Sequence, residues 1–77
     1  MNQQIEINPQ ILVGKAIIKG TRIPVYLILN LVAHGYSFER IIQAYPELTK
    51  GNIRAALEYA EKMTKYEEEL TPHITHA

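Results

Sequence analysis

The residues that follow Thr49 are of the types that contact base edges in duplex DNA. Lys50, Asn52 and Arg54 fall in the first turns of a helix that the sequence predicts to begin after Thr49. Arginine donates paired hydrogen bonds to guanine, and asparagine makes a matching pair with adenine. The positions between and beside them are small, which lets a backbone approach a groove closely; they hold Gly51 and Ala55. The segment is therefore a candidate DNA-binding surface.

A pair of helices joined by a short turn is predicted to position this segment. Ser37 is a good N-cap for a first helix over 37–45, and Pro46 ends that helix. Its apolar residues follow the i, i+3, i+4, i+7 spacing: Phe38, Ile41, Ile42 and Tyr45. In a helix-turn-helix the start of the second helix enters the major groove. An αα-hairpin that serves only packing is the alternative, and both interpretations remain open.

An earlier helix is predicted between Pro24 and Gly35, which suit the first turn and the left-handed residue beyond a C-terminus. Its residues are apolar almost all round, so it has to be covered on every face. This favours a subunit interface in a dimer or higher oligomer, with the alternative of a central core helix. The candidate interface residues are Leu27, Leu29 and Leu31.

Two short strands, Ile5–Ile7 and Ala16–Ile18, precede this helix and are too short to stand alone in water. Gly20, Thr21 and Arg22 follow the second strand and form a candidate structural turn. Glycine permits positive φ, and threonine can bond nearby backbone groups. Arg22 is expected to tie the turn to a neighbouring helix or subunit, with phosphate contact as the alternative.

The C-terminal part of the last helix carries a stripe of large side chains spaced four, three and four residues apart: Tyr59, Met63, Tyr66 and Leu70. Aromatic and methionine residues are frequent interface anchors, and an amphipathic helix docks in a groove with this spacing. The stripe is thus a candidate partner-binding surface. In the alternative, Met63 and Tyr66 only extend the core. Residues 1–70 form the predicted domain, and 71–77 a frayed tail after Thr71-Pro72.

Composition limits the function classes. The 77 residues include no cysteine, so there is neither a disulfide nor a thiolate metal site. Net charge is zero, but residues 1–57 carry six bases against three acids, and residues 58–77 carry two against five. His73 and His76 lack the further ligands that zinc requires, and His34 suits a helix C-terminus. We expect no enzyme activity, cofactor or metal, and a cytoplasmic location.

Four motifs in order resemble a small bacterial and archaeal family, domain-of-unknown-function family 433. They are Gly14 to Val25, Gly35-Tyr36-Ser37, Tyr45 to Thr49, and Arg54 to Ala60. The resemblance extends from about Ile5 to Lys62. Ala16 departs from it where the family has proline, and Lys50-Gly51-Asn52 replaces an acidic first turn.

Members of this family resemble antitoxins of VapBC-type toxin–antitoxin pairs with a helix-turn-helix body. The resemblance implies a chain that binds a PIN-like ribonuclease toxin and represses its own operon. Together with the pattern it predicts a mainly α fold, in which a short N-terminal β-hairpin precedes a three-helix, homeodomain-like helix-turn-helix bundle. The alternative function is an oligomeric protein-interaction module with no nucleic-acid role.

Overall fold

Two short strands and three helices make up the part of the chain that the computed structural model describes, residues 3–11 and 14–70. Side-chain surroundings are described as far as residue 65. The elements are β1 (Ile5–Ile7), β2 (Ala16–Ile18), α1 (Val25–Ala33), α2 (Phe38–Ala44) and α3 (Lys50–Leu70). This confirms the predicted mainly α fold with an N-terminal hairpin. The predicted tail, 71–77, lies outside the described residues.

The hairpin is antiparallel and is stabilised by the helices that pack on it. Ile5 pairs with Ile18 and Ile7 with Ala16, while β2 packs against α1 and β1 against α3. The turn after β2 requires glycine, since Gly20 has φ of +84°. Thr21 closes that turn: its Oγ donates to the Ile18 carbonyl at 2.8 Å and accepts from the Ile23 N–H at 2.9 Å.

The helix ends follow local signals in the sequence. Pro24 precedes α1 in extended geometry, and Ser37 caps α2 by accepting the Arg40 N–H at 3.1 Å. At the end of α1, His34 Nδ1 lies 2.7 Å from the Asn30 carbonyl oxygen. Gly35 follows with φ of +89°, the left-handed residue expected just past a helix. The chain can therefore turn sharply between α1 and α2.

The core lies where α3 crosses α1, α2 and the hairpin. The largest fully buried side chains are all isoleucines: Ile17, Ile18, Ile28, Ile41 and Ile53. On α1 only Val25 and Ile28 are buried, whereas Leu27, Leu29 and Leu31 are half-buried against the core and Tyr26 is 60% exposed. One chain thus covers much of this apolar helix by itself. Whether a second subunit covers the rest stays a prediction.

Candidate functional site

The start of α3 presents two cations to solvent. Lys50 and Arg54 are both exposed, and Arg54 makes no ion pair among the described residues. Lys50 Nζ lies 3.3 Å from Glu39 Oε2 at the start of α2, with 61% and 68% of the two side chains exposed. Exposed pairs of this kind contribute little to stability, because solvent screens the two charges. Both cations are consequently accessible to an anionic partner.

Asn52, the third candidate DNA contact, is already engaged within the protein. Its Oδ1 accepts the Thr49 N–H at 2.9 Å, while its own N–H donates to Thr49 Oγ1 at 3.1 Å. The pair forms a reciprocal capping box at the start of α3. Asn52 Nδ2 also donates to Gln4 Oε1 at 2.7 Å. A paired contact with adenine uses Oδ1 and Nδ2 together. Asn52 would therefore have to turn its amide group away from the Thr49 N–H and from Gln4 Oε1.

Substitutions at Asn52 should separate its capping role from any DNA contact. Asn52→Ala is expected to destabilise the domain by about 0.5–2 kcal/mol, because the Thr49 N–H loses its acceptor. Asn52→Asp keeps an acceptor at this position and adds a charge that suits a helix N-terminus. We therefore expect urea unfolding to show near-parental stability for Asn52→Asp. Equal losses for the two variants would assign the stability to the Nδ2 bond with Gln4, which both variants lack, and not to the cap.

The two small residues of the segment, at positions 51 and 55, differ in how deeply they are buried. Gly51 is half-buried, and a Cβ there would lie 3.6 Å from Thr49 Oγ1. Ala55 is only 2% exposed and belongs to the core. The idea that Ala55 lies beside the base contacts is therefore wrong. Because α1, α2 and β1 all pack on α3, they cover a wider arc of it than one apolar stripe.

An apolar groove of about 380 Å³ lies between α1 and the C-terminal half of α3. Leu29 and Tyr59 contribute to its lining. Tyr26 and Met63 also line it, and they are 60% and 45% exposed. Lys15, the residue before β2, is the one charged residue that lines it within the described part of the chain. The fold thus brings a residue predicted for the oligomer interface together with two predicted for partner binding.

The other two residues of the predicted partner stripe, Tyr66 and Leu70, belong to α3 but lie beyond the described side chains. Tyr26 was not among the predicted contacts, although its place on an apolar helix was known. Only its exposure marks it as a surface residue, and exposure depends on which face of α1 the core takes. The groove is therefore a candidate docking surface for an apolar segment of a protein partner.

The structural turn of Gly20, Thr21 and Arg22 borders a second, more polar concavity of about 450 Å³. Glu6 and Glu47 line it beside Arg22, which is exposed and within ion-pair distance of neither. Within the described residues Arg22 therefore makes no ion pair with a neighbouring helix. The contact expected of it with a second subunit stays a prediction.

Electrostatics at the start of α2 centre on Glu39. A backbone hydrogen bond at its own residue, followed by the hydrogen bond and charge of Lys50, holds the pKa of the Glu39 carboxyl below its ordinary value. Next to it, the Arg40 guanidinium stacks 4.5 Å from the centre of the Tyr36 ring. Glu39 therefore stays ionised beside Lys50 at neutral pH. The sequence patterns did not predict a role for this residue.

Across residues 3–11 and 14–70, no group of three His, Asp or Glu residues is placed to hold a metal ion. His73 and His76 lie outside that part. No helix in the same ranges is long and apolar enough to cross a membrane.

Comparison with known proteins gives consistent matches. The model of a family described as "Protein of unknown function (DUF433)" matches residues 5–60. An uncharacterized protein of Sinorhizobium fredii (strain NBRC 101917 / NGR234), y4eO, is 46% identical over 54 residues, which are 70% of this chain and 24% of that protein. This chain therefore spans about a quarter of that relative's length.

A solved structure shows the same fold. The crystal structure of a DUF433 member protein from Anabaena variabilis ATCC 29413 superposes with a TM-score of 0.75 at 30% sequence identity. The alignment covers 86% of this chain and 65% of the other. The other chain thus has a third of its length outside the matched region. Its fold agrees with the hairpin and three helices described above.

Proposed function

The chain belongs to the DUF433 family of proteins of unknown function, and we propose that it is the antitoxin of a type II, VapBC-like toxin–antitoxin pair. In this proposal it acts in the cytoplasm as a homodimer or higher oligomer. It binds a PIN-like ribonuclease toxin through the apolar groove and operator DNA through the start of α3. It performs no catalysis itself. The toxin and the repression of its own operon come from the resemblance of its motifs to such antitoxins.

The observation that carries the DNA-binding half is the placement of Lys50 and Arg54. Both are exposed on the first turns of α3, the second helix of a helix-turn-helix arrangement. This is the part of such a motif that enters the major groove. A twofold dimer would present two such helices, and binding requires them about 34 Å apart.

The groove supports the protein-binding half. Two of its exposed members, Tyr26 and Met63, are large hydrophobic side chains on different helices. Exposed apolar residues that cluster around a concavity are typical of protein contacts. Lys15 on its lining would favour a partner segment with a carboxylate at one end.

A second candidate function is an oligomeric protein-interaction module with no nucleic-acid role. The engagement of Asn52 in the cap and of Lys50 with Glu39 favours it, as does the net charge of zero. Nonspecific DNA affinity comes mainly from uncompensated positive charge. This alternative keeps the groove as a docking surface and treats α2 and α3 as packing elements only.

Binding to the DNA upstream of the chain's own gene should distinguish the two functions. Arg54→Ala, if the guanidinium contacts a base, is expected to lose about 1–3 kcal/mol on the operator alone. Lys50→Ala is expected to weaken binding to all sequences and to reduce the salt slope by about one. Fluorescence anisotropy at several salt concentrations measures both effects.

Lys65→Ala is the matched control for these variants. Lys65 is an exposed cation on the same helix, about 22 Å from Lys50 along its axis. Its loss should leave operator affinity close to that of the parent. A Lys50→Ala, Arg54→Ala double variant that binds as tightly as the parent would refute DNA binding by α3. The interaction module would then be the better description.

A further inference from the structure

Glu39 forms an ion pair with Lys50 at the surface where the proposed function places DNA. Its Oε2 lies 3.3 Å from Lys50 Nζ, and the pair joins the first turn of α2 to the first turn of α3. Both side chains are more than half exposed, so either can move away without opening the core. The contact is therefore one that an external anion could replace.

The donors around the Glu39 carboxylate are of the kind that hold a DNA phosphate. A backbone hydrogen bond at Glu39 and the Lys50 ammonium both stabilise its charged form. Backbone N–H groups and lysines are also the usual phosphate contacts of DNA-binding proteins. A phosphate that approached Lys50 would meet a carboxylate already in place, and the two anions would repel each other.

We propose that Glu39 competes within the molecule for the position of a DNA phosphate at Lys50, and so limits the affinity of this surface for DNA of any sequence. The inference rests on the proposed function and adds a residue that restrains it. Arg40 and Arg54 are the other cations on the first two turns of α2 and α3. Arg40 stacks on Tyr36 and Arg54 makes no ion pair among the described residues, so Lys50 is the cation that Glu39 neutralises.

Such a competitor would shift the balance between nonspecific and specific binding. Phosphate contacts supply sequence-independent affinity, whereas base contacts discriminate between sequences. Weakening one phosphate contact lowers binding to all DNA alike. A bound protein then depends more on Arg54 and the bases that it contacts.

The isosteric variant Glu39→Gln tests this proposal, because it removes the charge and keeps the side-chain shape. We expect it to bind both the upstream DNA and an unrelated duplex several-fold more tightly than the parent at physiological salt. The slope of log affinity against log salt should steepen by less than about 0.9, the value for one whole phosphate contact, because Lys50 already makes part of that contact in the parent. In a Lys50→Ala background the same substitution should increase the affinity for DNA much less.

Glu61→Gln is the control for a general change of net charge. Glu61 is exposed on α3, about 16 Å from Lys50 along the helix axis, and a Debye length is only about 8 Å at physiological salt. If the parent binds DNA and Glu39→Gln gains no more affinity than Glu61→Gln, the inference is overturned while the proposed function stands. Absence of binding by both parent and Glu39→Gln would overturn the two together.

Discussion

Replacing Met63 by glutamate is expected to abolish stable capture of the toxin without unfolding the chain. Met63 is 45% exposed in the free protein, so a carboxylate there stays hydrated until a partner covers the groove. Binding would then bury the carboxylate against Tyr26, Leu29 and Tyr59. Among the described residues that line the groove, Lys15 is the cation that could compensate this charge. Central interface residues cost about 2 kcal/mol or more when disrupted, which is roughly 30-fold in affinity.

Co-purification with the product of the neighbouring gene, and neutralisation of its activity, measure this effect. Lys62→Glu places the same side chain one position away on α3, outside the groove, and should retain binding. Circular dichroism must show both variants folded. Undiminished capture by Met63→Glu would exclude the groove and move the toxin contact elsewhere on the chain.

The oligomeric state decides between two occupants of the groove. Leu29 was predicted for the oligomer interface and Met63 for the partner, yet both line the same surface. Sedimentation equilibrium of Met63→Glu should therefore be run beside the binding measurement. A dimeric parent whose variant becomes monomeric but still captures toxin would assign the groove to a second copy. An unchanged oligomer with lost capture is the result that the proposed function requires.

A chain truncated after Lys62 tests the part of the C-terminal stripe that follows Tyr59. It lacks Met63 together with Tyr66 and Leu70, the two stripe residues beyond the described side chains. We expect the shortened protein to stay folded and oligomeric because, among the side chains of α3 described up to residue 65, the fully buried ones lie earlier, at Ile53 and Ala56. Neutralisation should be lost. Its full retention would show that neither the groove's Met63 nor the later residues contact the toxin.

Ile53→Ala is expected to cause the largest loss of stability, about 2–5 kcal/mol. Ile53 is fully buried at the start of α3, where it belongs to the single core cluster. Removing its larger side chain loses apolar burial and leaves a cavity. Small domains have only about 5–15 kcal/mol of stability in total, so part of the population should unfold at physiological temperature. DNA binding should weaken with it, since Ile53 fixes the segment that carries Lys50 and Arg54.

Ile7→Ala makes the same chemical change at a surface position. Ile7 is 54% exposed on β1, and its loss should cost no more than about 1 kcal/mol. Thermal unfolding should show the difference as a fall of roughly 10 °C or more in Tm for Ile53→Ala relative to this control. Similar midpoints for the two variants would contradict the placement of Ile53 in the core.

Local signals in the sequence were sufficient to locate the elements. The strands at Ile5–Ile7 and Ala16–Ile18 occur where predicted, and Ser37 caps the second helix as expected. Caps, proline and positive-φ glycine act over three or four residues, so they operate before any tertiary contact exists. The capping box of Thr49 and Asn52 is equally local. It was missed because asparagine stands where glutamate or glutamine usually completes the motif.

Burial along the long third helix depended on what packs against it. The alternative interpretation of the stripe lets Met63 extend the core, yet Ile53 is fully buried and Met63 is 45% exposed. Met63 lies opposite Tyr26 and Leu29 of α1, and a groove separates the two helices at this point. A sequence pattern gives the apolar face of a helix but not how closely its neighbour approaches that face.

Local sequence signals are enough to predict the order of the elements, their ends, and the positions of Lys50 and Arg54 on the first turns of α3. The packing of the helices establishes that Glu39 neutralises Lys50, that Tyr26 and Leu29 share a groove with Met63, and that Ala55 is buried. The reason is that backbone conformation is set largely by neighbours in the chain. Contacts between side chains on different helices depend instead on crossing angles and helix lengths, which the packing of the whole core fixes at once.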